Sequence, residues 1–417
     1  MAESRIIDRG NGWMIAGVAI YALIVSNGLS TTGIPVFYKP VRDEFVLIGS
    51  VDAAQAETFI ANAANITFIA SGVFSLLAGW LIPRLGLRNL MTIGCLLLGS
   101  GLVVHSYSVT AAGVYISRLL MGASLGFVGV MPNVALVSGW FDRNRGTALG
   151  FVLTGTSLGG FFVPFIAVPL IATYGWRNAM LAVSFLVWLV LLPAVIGFVR
   201  EGPLGSGTAE PEGSGLTLSE AIRTPVFWAL ALCAAAVFYP IFVTTQQFIL
   251  YLQSPKIGLS LAAAGWAQSG LFAFSIGGKF LSGYISDRLP PTTVILLSCG
   301  LMFLSTLVLF DLTATTAWFF LLPFGLGYGG AFVLLQRLAV DCFGLKEYGK
   351  ILGVITMIEI IGAAIGSQVT GYLADKSGGD YTRAFYMMIV AASLSFVAAA
   401  ILFWISARRT REDAVQV

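Results

Sequence analysis

The chain has 417 residues, 57% of them hydrophobic and only 10% charged, with a formal net charge of +3. Soluble domains carry about 25% charged residues, so this composition argues against water as the solvent and points to lipid. The small net charge argues against a nucleic-acid partner. A single histidine, His105, and four scattered cysteines argue against metal-cluster or triad chemistry.

Apolar runs long enough to span a bilayer, about 20 residues or more, fall near 13–36, 57–82, 87–107, 110–139, 145–173, 177–199, 225–252, 262–286, 290–310, 316–343, 348–372 and 381–406. These are twelve segments without strand alternation, and lipid admits only helices or closed barrels. The expected fold is therefore an all-α membrane protein. Residues 1–12 are short and polar, and no cleaved signal is expected behind them. The long fourth, fifth, tenth and eleventh segments are rich in Gly and Pro, which predicts tilt, bending and close helix contact.

Lys and Arg set the orientation. Fourteen of them, among them Arg84, Arg88, Arg143, Arg145, Arg200, Arg223, Arg288, Lys346 and Lys350, fall on one side. Six, Lys39, Arg42, Arg177, Lys256, Lys376 and Arg383, fall on the other. The expectation is a multi-pass protein of the cell inner membrane with both termini cytoplasmic. Glu201–Arg223 is the one long polar connection and reads as a flexible linker. Thr217-Leu218-Ser219-Glu220 has the spacing of a capping box that opens a short surface helix. The expected domains are 1–199, a six-helix bundle; 200–224, the linker and its short helix; and 225–417, a second six-helix bundle.

The two bundles echo each other. Gly79 to Arg84 returns as Gly283 to Arg288, 204 residues later. Gly122 and Gly126 return as Gly325 and Gly329, and Gly146 and Gly150 as Gly349 and Gly353, each at an offset of 203. The chain reads as one half-unit duplicated in tandem, a plan common among transporters. The shared glycines are expected to be scaffold.

Three charged residues lie well inside apolar segments: Arg118, Lys279 and Glu359. A charge at membrane depth costs about 2.5–3.5 kcal/mol on the insertion scale, so such groups face a cavity or a partner. The echo offers no counterpart to any of them: the positions opposite are Leu321, Ser75 and Thr156. His105 is expected at the membrane interface. The four cysteines, Cys95, Cys233, Cys299 and Cys342, are expected to be small buried residues.

Gly79-x-x-x-x-Arg84-x-Gly86-x-Arg88, its second copy ending in Asp287-Arg288, and Arg118-Leu119-Leu120-Met121-Gly122 together resemble the major facilitator superfamily. The first copy departs from the family signature, with Pro83 in the Asp place. Trp140 to Gly150, then Gly155, Gly159 and Gly175-Trp176-Arg177, resembles the monocarboxylate transporters and the oxalate–formate antiporters. So does Gly371 to Gly378 followed by Tyr381.

That resemblance implies two pseudo-symmetric six-helix bundles and a cavity lined by segments 1, 4, 7 and 10. Asn27, Ser30, Thr31, Tyr115, Tyr239, Gln246, Gln247, Tyr328 and Phe332 become lining candidates. It also implies that Lys279 stands where monocarboxylate transporters carry a substrate-binding Arg, while the Asp one turn earlier is replaced by Ser275. Thr32 stands where those proteins carry a lysine. Glu359 stands where the oxalate–formate relatives carry a lysine, so the sign is reversed.

The expected function is proton-coupled symport of a small monocarboxylate of the lactate or pyruvate type. Lys279 would hold the carboxylate, Glu359 would take the proton, and Arg118, Asp287 and Arg288 would gate. The alternatives are an organic-anion antiporter and a non-transporting carboxylate sensor. No enzymatic activity, cofactor or metal is expected. The partners would be the substrate, a proton and the lipid bilayer, in a monomeric protein.

Overall fold

The computed structural model describes residues 9–141, 145–202, 215–344 and 347–415. Regular structure in them is helical and no strand forms; one isolated β-bridge joins Gly215 to Gly344. In hydrocarbon a helix satisfies every backbone group internally, which this apolar sequence requires. Arg5, Arg143, Lys346 and residues 203–214 of the expected linker lie outside the described residues.

The chain divides into two compact units, Met1–Ser50 with Ile66–Ala209, and Val51–Asn65 with Glu210–Val417. In the first are α1 (Arg9–Asn27), α2 (Tyr38–Leu47), most of α3 (Ala56–Tyr107), α4 (Ala111–Val128), α5 (Val130–Ser138), α6 (Arg145–Leu153), α7 (Gly155–Phe185) and α8 (Leu192–Phe198). In the second, besides the start of α3, are α9 (Leu218–Ile222), α10 (Pro225–Gln246), α11 (Phe248–Leu252), α12 (Leu261–Ser286), α13 (Pro291–Thr306), α14 (Thr316–Phe343), α15 (Tyr348–Lys376) and α16 (Thr382–Val415). The capping box forms as expected: the Thr217 hydroxyl accepts from the Glu220 amide, and the Glu220 carboxylate accepts from the Thr217 amide.

Nine helical stretches among the described residues are long and apolar enough to cross a membrane. Two of them, Ala53–Tyr107 and Ala148–Phe198, run to 55 and 51 residues. At 1.5 Å per residue each is about 80 Å long, far beyond a hydrocarbon core of about 30 Å, so each must hold two crossings. The breaks are two glycines in the left-handed region, Gly86 (φ 74°) and Gly175 (φ 77°). Pro83 stands one turn before the first. α12, 26 residues long and carrying Lys279, adds a further apolar rod. This arrangement agrees with the twelve expected segments.

Several of the expected segments are not continuous α-helix, the first, fourth and seventh among them. The first stops at Asn27, widens into a π-helical turn over Gly28–Thr32 and tightens into a 3₁₀ turn over Ile34–Phe37. The fourth breaks at Gly129, where Asn133 Nδ2 donates to the freed carbonyls of Val128 and Gly129 at 2.9 and 2.8 Å. The seventh breaks at Gln247, whose Nε2 donates to the Ser367 carbonyl at 2.8 Å. At the fourth segment the side-chain amide of Asn133 bonds carbonyls at the break itself, which helps make it tolerable in lipid.

The echoed glycines divide into two kinds. Gly122 and Gly126 of α4 press on α3: a Cβ on Gly122 would lie 2.6 Å from Ala70 Cβ, and one on Gly126 would lie 2.7 Å from Ser75 N. Gly325 and Gly329 of α14 press on α12 in the same register, with a Cβ 2.7 Å from Phe274 Cβ and 2.8 Å from Lys279 N. No side chain fits there, so the backbones themselves touch. A similar close approach holds α7 on α1 at Gly159 and α15 on α10 at Gly362. By contrast Gly150, Gly283 and Gly353 would place a Cβ in open space. Their recurrence is not a matter of close crossing.

Candidate functional site

In the second unit the crossing of α12 and α14 sets the position of Lys279. Gly329 lets the α14 backbone lie against residues Ser275–Lys279, so the lysine starts from the centre of a tight helix pair. The side chain is buried, at 8% exposure. Its Nζ stands 4.9 Å from the centroid of the Phe332 ring, one turn beyond Gly329. A cation over a desolvated ring face is held there by the ring quadrupole.

Phe332 meets Tyr328 edge-on at 6.4 Å and Phe238 of α10 at 6.1 Å. Tyr328 is buried, packs against Phe272 and is hydrogen-bonded to the Ser275 hydroxyl. Ser275 is the residue that replaces a carboxylate in the resemblance; it hydrogen-bonds a phenol and adds no charge. Lys279, Phe332, Tyr328 and Ser275 thus form one cluster: a cation, two aromatic walls and two hydroxyls. Such a set suits a small anion with an apolar body and one hydroxyl.

The other candidates of this unit sit around it. Tyr239, beside Phe238 on α10, has its ring against Gly366 of α15, and its hydroxyl is buried without a hydrogen-bond partner. Gln246 is buried at the end of α10. Glu359 is buried on α15, one turn before the contact of Gly362 with Ala235. No hydrogen bond or ion pair joins Glu359 to another described residue. Lys279 and Glu359 are therefore not ion-paired here.

In the first unit Arg118 is buried on α4, at 1% exposure. Its guanidinium lies 5.0 Å from the Tyr38 ring centroid, and Nη1 reaches the Ser30 carbonyl at 3.4 Å. Tyr115, one turn earlier on the same helix, is half-buried. Asn27 closes α1; its carbonyl accepts from the hydroxyls of Thr31 and Thr32 at 3.0 and 3.2 Å.

Asp287 and Arg288 lie at the end of α12. Arg288 stacks on Tyr284 at 3.7 Å. Asp287 accepts from Arg337 of α14 at 2.7 Å, and Arg337 also donates to Ser286 and reaches Asp341 at 3.6 Å. Sequence reading missed Arg337, because it falls at the end of the tenth apolar run and not deep within it. The echo held the signal: Arg337 and Asp287 have Val134 and Pro83 opposite, so both halves of the pair are absent from the first repeat together.

His105 is enclosed by protein: it is 2% exposed, its Nδ1 lies 2.7 Å from Ser117 Oγ, and its ring packs edge-on against Trp176. α4 and the start of the sixth segment close over it. Cys342 is half-buried near the end of α14, while Cys95, Cys233 and Cys299 are buried as expected. Among the described residues no group of His, Cys, Asp and Glu could hold a metal ion.

A polytopic helical membrane protein of two units, each built on a glycine crossing at the same register, is the plan of a duplicated transporter. A profile of the Major Facilitator Superfamily matches residues 12–367 and 248–416. The chain belongs to that superfamily and is a multi-pass membrane transporter. It is 25% identical over 382 residues to a Rattus norvegicus protein named monocarboxylate transporter 13, covering 91% of this chain and 86% of that one. It is 26% identical over 309 residues to the MFS transporter asaE of Aspergillus flavus, covering 74% and 69% of the two chains. The fold matches a bacterial homologue of the human lysosomal transporter Spinster in an inward-facing, unoccupied conformation, with a TM-score of 0.75 over 95% of this chain and 98% of that one at 16% identity.

Proposed function

We propose that the protein carries small monocarboxylates of the lactate or pyruvate type across the cell membrane together with a proton, by alternating access. The observation that carries this reading is Lys279, a buried cation fixed at a glycine crossing and backed by Phe332 and Tyr328. Similarity to a protein named as a monocarboxylate transporter supports the substrate class.

In this reading the substrate carboxylate binds Lys279 through charge-assisted hydrogen bonds. Phe332 and Phe238 contact the carbon skeleton, and Tyr328 with Ser275 meets a 2-hydroxyl or 2-keto oxygen. Glu359 takes up the proton. Substrate anion and proton then cross together, so that the loaded carrier bears no added charge and the empty one returns with Glu359 and Lys279 reset. Arg118, Asp287 and Arg288 act at the gates, with Arg337 as the partner of Asp287. The protein works as a monomer in the inner membrane, with both termini cytoplasmic.

Reconstitution into proteoliposomes tests the reading. An inward pH gradient should drive accumulation of labelled lactate, and collapse of the gradient should abolish it. Uptake that ignores pH and requires an internal organic anion would instead identify an antiporter. Binding without uptake would identify a sensor.

A further inference from the structure

We propose that the first unit contains a second carboxylate-binding site, formed by Arg118, the Ser30 hydroxyl and Tyr38. It rests on the reading of the protein as a carboxylate carrier but does not use Lys279.

Two buried donors carry the inference. Arg118 Nε is shielded from solvent and has no hydrogen-bond partner, and the same is true of Ser30 Oγ. The residues themselves are each 1% exposed. They are neighbours, since Arg118 Nη1 approaches the Ser30 carbonyl at 3.4 Å. That contact is long for a charged donor, and although the Tyr38 hydroxyl is a second polar partner of the guanidinium, Nε still has none. An unpaired buried charge is costly, so a site that retains one is built to be filled.

The acids nearby in sequence are already committed. Asp43 accepts from Lys39 and from Arg42, each at 2.7 Å. Glu44 accepts from Arg177 Nη2 at 2.8 Å and Nε at 3.0 Å, and from the Trp176 indole. None is left for Arg118: no ion pair involving it occurs among the described residues. The local backbone points the same way. Within the π-helical turn Thr31 and Thr32 both return their hydroxyls to the Asn27 carbonyl, whereas Ser30 keeps its own hydroxyl unused. Widened turns of this kind concentrate at functional sites because they re-aim side chains and free backbone groups.

The chemistry selects the ligand. A guanidinium N–H and an adjacent hydroxyl present two donors and one positive charge, which match the two oxygens and single charge of a carboxylate. Tyr38, whose ring lies 5.0 Å from the guanidinium carbon, supplies an apolar wall for the attached carbon chain. The echo places Leu321 opposite Arg118, so the second unit has no equivalent site.

Titration calorimetry with lactate on the purified full-length carrier decides the matter, with thermal unfolding recorded for each variant. Lys279→Gln should retain weaker lactate binding. Adding Arg118→Gln to it should weaken that residual binding by tenfold or more, on the order expected for one lost charge-assisted hydrogen-bond pair. Adding Ser30→Ala should weaken it severalfold, and Arg118→Lys should fail to restore it because a point charge does not reproduce the fork. If Arg118→Gln does not fold, the Ser30→Ala pair decides alone. Loss of all binding in Lys279→Gln would overturn this site and leave the transport reading standing. Residual binding indifferent to both Arg118 and Ser30 would do the same. No lactate binding by the unaltered protein would overturn both.

Discussion

The α3–α4 crossing of the first unit and the α12–α14 crossing of the second are built alike and used differently. In the first, Gly126 brings α4 onto the backbone at Ser75; in the second, Gly329 brings α14 onto the backbone at Lys279. Ser75 and Lys279 are thus equivalent positions in space within their units as well as in the echo. The glycine fixes where two backbones meet, and the residue it touches through its backbone is released to vary. The second unit spends that freedom on a buried cation. At the other crossing the varying residue lies on the glycine's own helix: Glu359, one turn before Gly362, answers to Thr156, one turn before Gly159.

The largest break in this comparison comes from the glycines. Gly329→Leu or Gly126→Leu should prevent recovery of folded protein, since even a Cβ would collide with the facing backbone. The alanine versions should each cost about 1–3 kcal/mol as overpacking. Gly353→Ala and Gly283→Ala, where a Cβ meets nothing, should leave the unfolding temperature unchanged. Thermal unfolding in detergent checks all of these.

Next in size is Glu359→Gln. It should cut lactate accumulation under a pH gradient by about tenfold or more while leaving lactate–lactate exchange in place, because the lost interaction is with the proton and not with the substrate. Normal gradient-driven accumulation in that variant would remove the coupling role of Glu359.

The Asp287–Arg337 pair is a smaller matter, as both side chains are partly exposed. Asp287→Asn should change stability by less than about 1 kcal/mol. Its measurable effect should be on transport rate, with Arg337→Gln giving the same change and the double variant no more than either alone.

The smallest effect concerns Asp43 on α2, outside the membrane spans. Burial pushes its carboxyl up, but the hydrogen bonds and charges of Lys39 and Arg42 outweigh that and hold it below its ordinary value. A group whose folded value is lowered lends stability above its unfolded pKa and loses it as the pH falls through the folded one. The Asp43→Asn variant should therefore unfold slightly earlier than the parent at pH 7. The difference should vanish as the pH drops below the ordinary Asp value of about 3.9.

Much of the fold was legible because lipid makes the problem simple: long apolar runs must be helices. The gaps between apolar runs at 83–86 and 174–176 fall where the chain turns, at Gly86 and Gly175. The breaks at Gly129, Gln247 and Gly28–Thr32 were not legible, because hydropathy does not register where a helix unwinds inside an apolar run. Asn133, which bonds the carbonyls at the Gly129 break, looks like an ordinary polar residue in the sequence. For the site, charge inside apolar segments picked out Lys279, Glu359 and Arg118, since burying a charge leaves a plain compositional trace. It missed Arg337, a cation at a segment end, and it did not show that His105 is enclosed, because closure by α4 is a tertiary fact. That Lys279 stands over Phe332 and not against Glu359 is likewise a matter of packing.

The central claim is that the second unit's Lys279 is the cation on which transport depends. Lactate uptake into proteoliposomes should be measured for the parent, Lys279→Arg and Lys279→Gln at matched folded-protein content. The account predicts measurable uptake with Arg and loss of uptake to the protein-free background with Gln. Parent-like uptake by Lys279→Gln would contradict it.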